Sequence, residues 1–534
     1  MNVVNQKIWV LITLVLLAIP ATASAAQVIT EPTTITEGDA GYIDQDIVVD
    51  GTTLYLQGLH RFESLRLQNN ARIELAEGVV GELARIELSI ATNLTIEEGA
   101  EITVSGRGYG LAEGQPRYAG GSHGGRGGNY NSDYRSLPGH GSISGPTTLG
   151  YGGRYSNVVR GGGALKIQAA SVDLSGTITS AGKSQYHGSG AGGSIWLDVG
   201  TLTIGASGRI DAAGGYSEHY GGGGGGRVHV AYDSVDGALE DSVRAPGSGR
   251  YNSTNTGGSG TVLLEDRSAG TRTLVIDNEG RRDGNVTEIA SLPLDLDELQ
   301  IRNARVKLDV AAVPPLVVDN STVELTVPEV PELVANNSTM ILNTGVITTL
   351  KLTNSTATLG ANAVTNLSMD SSTVSQSKAM TLSTLTLENA STWKQAGYDL
   401  TISDSYTFTN SRFDYSGTWV RPGDPAALIV NDYTLTLPSG THQYDRVEIG
   451  ANGQINVSPY DATTEQGGRL ALDVNELVVA EGGVLSASGA GYGLAEGQPR
   501  YAGGSHGGRG GNYNSDYRSL PGHGSISGPT TLGY

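Results

Sequence analysis

Between residues 299 and 376 the chain reads LQIRNARVKL, LVVDNSTVEL, LVANNSTMIL, LKLTNSTATL and LSMDSSTVSQ, starting at Leu299, Leu316, Leu333, Leu350 and Leu367. Each start falls 17 residues after the last. In every unit the apolar first and third positions share one face of an extended strand, a polar Asn or Ser pair makes a corner, and a second short strand follows. One such unit leaves its apolar face in water, whereas units stacked in parallel bury it against one another. At a strand spacing of about 4.8 Å, Asn303, Asn320, Asn337 and Asn354 fall above one another with their amides in reach along the stack. After Leu385 the pattern loosens, LTLENASTW and LTISDSYTF following at spacings of 18 and 15.

Upstream units are longer. GGALKIQAASVDLSGTITSAG (162–182) resembles GGSIWLDVGTLTIGASGRIDAAG (192–214), and GGRVHVAYDS begins a third at Gly225. Stretches such as HGSGAGG and GGYSEHYGGGGGG separate them and read as loops leaving one flank. No helical periodicity follows the first 25 residues, so the expected class is all-β, a parallel β-helix or β-solenoid with long glycine-rich loop insertions.

A larger repeat encloses these units. Residues 108–151 and 491–534 are the same 44 residues at an offset of 383. Before them, Ile47–Leu67 lines up in diverged form with Leu428–Ile449. His60 and His442 occupy equivalent corners there, where a backbone carbonyl is the expected partner. The expected organisation is a signal peptide at 1–25, a long-unit region at 26–270 carrying an insert at 105–163, compact 17-residue units at 271–427, and a second, truncated copy of the module from 428 to 534. Recent duplication, gene conversion or a repeat-assembly error each produces such identity, and the expectation is an array that continues past Tyr534.

Lys7, the apolar run from Ile8 to Ala21 and Ala23-Ser24-Ala25 form a secretory signal pattern, which places the mature chain outside the cell or on its surface. The run is too short for a comfortable membrane span and no later stretch approaches one. Cysteine is absent, so the exported chain relies on its core and backbone ladders. Thirty-four basic against 54 acidic residues give a net charge of −20, which argues against nucleic acid as a partner.

The insert at 105–163 has the opposite character, with Arg107, Arg117, Arg126, Arg135, Arg154 and Arg160 against only Glu113 and Asp133. Tyrosine rings stack on sugar faces and arginine forks grip carboxylate or sulfate. Arg117, Tyr118, His123, Arg126, Tyr130, Tyr134 and Arg135 are therefore candidate binding residues for an extracellular polysaccharide or a host or neighbouring cell surface. Their plainer role is to cover the acidic stack and hold a glycine loop in place.

The TLxLxxGxH opening, the paired GG-started units and a loop carrying GGSHGGRGG resemble large secreted bacterial repeat proteins of parallel β-helix type, many of them adhesin-like. That resemblance implies an architecture and an extracellular setting, and adhesion as the expected function. An extracellular polysaccharide lyase or hydrolase of β-helix type, or its substrate-targeting module, is the alternative. No catalytic constellation supports it. GGSHG (120–124) matches the G-x-S-x-G string without a following helix, and GTITSAGKS (176–184) has the wrong spacing for a phosphate loop. The histidines lack metal-site spacing. DNEGRRDGN (277–285) lacks the ligand spacing of a calcium loop and reads as a solvated turn, so no cofactor is expected and calcium has no motif behind it.

Overall fold

The computed structural model describes residues 25–131, 135–153, 159–249, 254–423, 425–493, 500–512, 514–527 and 529–534. The signal segment up to residue 24 and Tyr134 lie outside the described residues. The chain is all-β, 46% strand and 1% helix, built on long parallel sheets that do not close into a barrel.

Parallel pairing follows the 17-residue spacing. Leu299 pairs with Leu316, Leu316 with Leu333, Leu333 with Leu350 and Leu350 with Leu367. A second file runs Val306, Val323, Met340, Ala357, Val374, Trp393, Phe413, Leu435, Ile455. All these side chains are buried. Because side chains alternate across a strand, a slip of one residue would turn both files into solvent, so burial itself enforces the register.

The corners that separate the files use left-handed backbone. Asn303, Asn320, Asn337 and Asn354 have φ of 50°, 45°, 50° and 47°, a region that Asn tolerates better than most side chains. The axial ladder, however, belongs to the serine after each Asn. The amide of Ser321 donates to Ser338 Oγ at 3.1 Å, that of Ser338 to Ser355 Oγ at 3.1 Å, that of Ser355 to Ser372 Oγ at 3.0 Å and that of Ser372 to Ser391 Oγ at 3.2 Å. Between the corner asparagines, Asn320 Nδ2 reaches Asn303 Oδ1 at 2.8 Å. Serine suits a fully covered corner because its short side chain both accepts from the next segment and donates to a local carbonyl.

The loosening after Leu385 is resolved differently from the sequence spacing. Leu400 pairs with Met380, and a register shift after Leu382 carries Leu385 onto Tyr406. A bulge absorbs the extra residue and lets the apolar file continue.

In the first half, the strands Arg85–Ile96, Ala164–Leu174, Ser194–Ile204, Arg227–Asp236 and Thr261–Asp266 pair in parallel one after another. Leu88, Ile167, Leu197, Val230 and Leu264 form their buried file. A second sheet stacks Ile73, Ile102, Ile178, Ile210 and Val243. At residues 262–275 the pairing turns antiparallel for one hairpin. The apolar core divides there into two clusters, one from Ile29 to Leu264 and one continuing from Leu263 to Ile455.

Replacing Ser338 by Ala strands the buried amide of Ser321 without its acceptor. It should cost about 1–3 kcal/mol in urea unfolding, whereas Thr339→Ala, on a partly exposed side chain beside it, should cost less than about 0.5 kcal/mol.

Candidate functional site

The glycine-rich stretches are packed, not splayed. Successive amides of Gly222–Gly226 point at different neighbours: Gly222 to Asn255 O, Gly223 to Gly215 O, Gly224 to Gly121 O, Gly225 to Gly258 O and Gly226 to Ala212 O, all at 2.8–3.0 Å. Residues three apart share a neighbour. The segment at 189–193 does the same, Ser189 and Gly192 facing Gly221 and Gly224, Gly190 and Gly193 facing Lys183 and Ser180, and Ala191 facing Tyr151. A strand sends its amides to two sides with period two; a period of three belongs to the extended three-residue screw, which has no internal hydrogen bonds and must find partners outside itself.

Such a bundle excludes side chains. A methyl group on Gly222 would lie 1.6 Å from Ser248 O, on Gly223 1.8 Å from Gly190 O, and on Gly128 1.8 Å from Asn255 O. Close approach, and not a positive φ, is what these three positions require.

The insert supplies part of this bundle, which decides the fate of its candidate residues. His123 is fully buried. Its Nδ1 faces Gly192 O at 3.0 Å and must donate, so Nε2, 2.9 Å from Thr148 Oγ1, accepts from that hydroxyl. Burial, then the neighbouring His140 and Arg227, holds its protonation well below the usual histidine range. Arg126 forms a fork on Glu288, with Nε and Nη2 2.9 and 3.0 Å from its oxygens, while Nη1 donates to Ser136 O at 2.9 Å. Both residues are internal clamps, not surface ligands. Ser122 of GGSHG is likewise buried, donating to Leu137 O at 2.6 Å.

The turn at 277–285 is also part of the scaffold, contrary to its reading as a solvated turn. Asn278 and Asn285 are buried. Asn285 Nδ2 donates to Gly127 O at 2.7 Å and Asn278 Oδ1 accepts from the Gly247 amide at 2.7 Å. The corner histidines behave as expected, His60 Nε2 lying 3.0 Å from Gln57 O and His442 Nε2 3.0 Å from Pro438 O.

Other candidates meet at the turns of the bundle. Tyr118 stacks on Tyr220 with ring centroids 4.5 Å apart, and Tyr130 meets the same ring edge-on at 4.7 Å. The Arg117 guanidinium lies 4.8 Å over Tyr118. His187 packs on Tyr220 at 4.5 Å and on Tyr186 at 4.4 Å, and His219 on Tyr186 at 4.3 Å. Burial and the neighbouring His219 lower the His187 pKa. Tyr130, Tyr186 and Tyr216 are 37%, 50% and 46% exposed, and Arg117 and Arg135 are exposed beside the insert's turn.

Sequence reading missed Tyr186, His187, Tyr216, His219 and Tyr220, which come from two other excursions. Their signal was the placement of Tyr and His in the middle of each glycine stretch. Among the described residues no group of three His, Cys, Asp or Glu side chains is placed to hold a metal. No family model, curated protein or solved structure matches the chain.

Gly223→Ala should open the bundle at a cost near 3 kcal/mol, the upper end for overpacking. Hydrogen exchange should rise across 189–226 and stay unchanged across 322–353. Acid should act on the same region. Burial lowers His123 and His140 in the folded state, so below about 6.5 the unfolded chain binds more protons. The bundle is fully stable above that pH and loses up to about 1.4 kcal/mol per histidine for each unit below it. Exchange across 189–226 at pH 7.5 and 5.5 checks this, and His123→Gln should flatten the slope.

Proposed function

We propose that the chain is an exported β-solenoid of structural and adhesive character, whose glycine bundle presents a tyrosine-rich tip to an extracellular acidic polysaccharide. The observation that carries this reading is the aromatic cluster at the turns of three separate excursions, with Tyr130, Tyr186 and Tyr216 partly exposed next to Arg117. Exposed tyrosines offer flat faces to sugar rings, and an arginine beside them answers carboxylate or sulfate.

Rigidity supports the reading. The tyrosines sit on turns whose arms are fixed by backbone hydrogen bonds in three directions, so little conformational entropy remains to be lost on binding. The regular parallel register supports the solenoid, because each unit adds length while leaving the excursions on its flank. A polymeric ligand would let weak contacts at repeated tips add as avidity.

Tyr130→Ala, Tyr186→Ala and Tyr216→Ala combined should weaken retention on an immobilised acidic polysaccharide about tenfold or more at low salt, given about 1 kcal/mol or more for each lost aromatic contact. Thermal unfolding should be unchanged, because these rings are the exposed ones. Retention should weaken with added salt and release no reducing ends. Equal retention of the triple variant overturns the tip, and release of sugar would favour the enzymatic reading.

A further inference from the structure

Residues 108–151 and 491–534 are identical, so differences in their surroundings report what each copy packs against. Inside the two copies the same bonds form. Ser122 Oγ donates to Leu137 O and Ser505 Oγ to Leu520 O, both at 2.6 Å. His123 Nε2 meets Thr148 Oγ1 at 2.9 Å and His506 Nε2 meets Thr531 Oγ1 at 3.0 Å. Ser136 Oγ donates to Gly127 O at 2.5 Å and Ser519 Oγ to Gly510 O at 2.6 Å. The block keeps its own shape.

Its outer faces differ. A methyl on Gly124, Gly125 or Gly128 would strike a carbonyl oxygen of Gly226, Gly258 or Asn255 at 2.2, 2.2 and 1.8 Å. On the matching Gly507, Gly508 and Gly511 it would meet nothing within 4 Å. The strands below change in the same sense. Leu94, Ile96 and Ile102 are fully buried beneath Ala164–Leu174 and Thr177–Thr179. Leu477, Val479 and Leu485 occupy the corresponding places, paired with Val447, Ile449 and Ile455, and are 44%, 47% and 42% exposed. They border an open groove of about 800 Å³ that also takes in Leu470, Leu472 and Leu532.

We infer that residues 468–534 form a template for one further coil, and that its occupant is a segment with the pattern of residues 152–290 held in cis. It lays a strand of alternating aliphatics in parallel on Leu470–Val479 and then glycine arms on 503–511. The inference rests on the stacked-coil reading proposed above. The first copy supplies its warrant, since an identical block preceded by an equivalent strand is covered there by such a segment. A second copy of the chain is a poorer occupant. Its own Ala164–Leu174 is already paired with Arg85–Ile96, and its first coil keeps Ile29 and Ile35 covered.

The test appends a copy of residues 152–290 after Tyr534 and compares hydrogen exchange with the unextended chain. Amides in 470–479 and 503–511 should slow by about 100-fold or more, towards those of the first copy. An extension carrying Gly222→Ala and Gly225→Ala should lose the protection at 503–511. Unchanged exchange in 470–511 with the intact extension overturns the inference. Equal protection gained by the unextended chain on raising its concentration also overturns it, in favour of a second copy. Exchange across 299–408 reads the stacked-coil proposal separately, because rapid exchange there would remove its basis whatever the extension does.

Discussion

The structure depends on one requirement: each covered backbone amide takes its partner from a neighbouring segment, tens of residues away along the chain. In the 17-residue units the partner lies one unit on, as Asn320 to Asn336, Asn337 to Thr353 and Asn354 to Asp370 illustrate. In the glycine arms three neighbours share the task. Neither arrangement is stable as an isolated segment, since a single extended chain has no internal hydrogen bonds.

Side-chain content decides which arrangement a segment adopts. Alternating aliphatics need a face to bury, so they form ladders of strands whose inner side chains fill the core. Runs of glycine have nothing to bury and nothing to keep neighbours apart. Their backbones approach until carbonyl oxygens occupy the space a Cβ would need, as at Gly222 and Gly223. The two arrangements meet along one edge, where Ser180, Ser194 and Gly163 pass the ladder on to the bundle.

Polar groups at this junction are internal fasteners. Arg227 is buried and donates to His140 O and Thr261 Oγ1, and burial pushes its guanidinium down to about 10. His123 and His140 beside it are held neutral. A buried cation flanked by neutral imidazoles tolerates no second positive charge in a poorly solvated site, which makes this the acid-sensitive point of the bundle. The exposed tyrosines at the turns carry no such load, which is why binding and stability separate there.

Much of the parallel core was legible in the chain. The spacing from Leu299 to Leu367, the pairing of 162–182 with 192–214 and the corner role of the Asn-Ser pairs all followed from apolar period and turn chemistry, because those signals are local and side-chain borne. The details that escaped were collective. Serine, not asparagine, carries the axial ladder because only the serine hydroxyl is turned into the covered corner. Leu400 skipped its apparent partner because a bulge was cheaper than exposing an apolar file. His123, Arg126 and Asn285 were drawn inward, and Tyr118, Tyr130, Tyr186 and Tyr220 were brought together. A run of glycines leaves no trace of which amide faces which neighbour. The sequence by itself determined the β class and the register of the stack, because buried side chains repeat with the backbone; only the tertiary structure decided the glycine bundle and its tip, because backbone approach in three directions has no side-chain pattern to announce it.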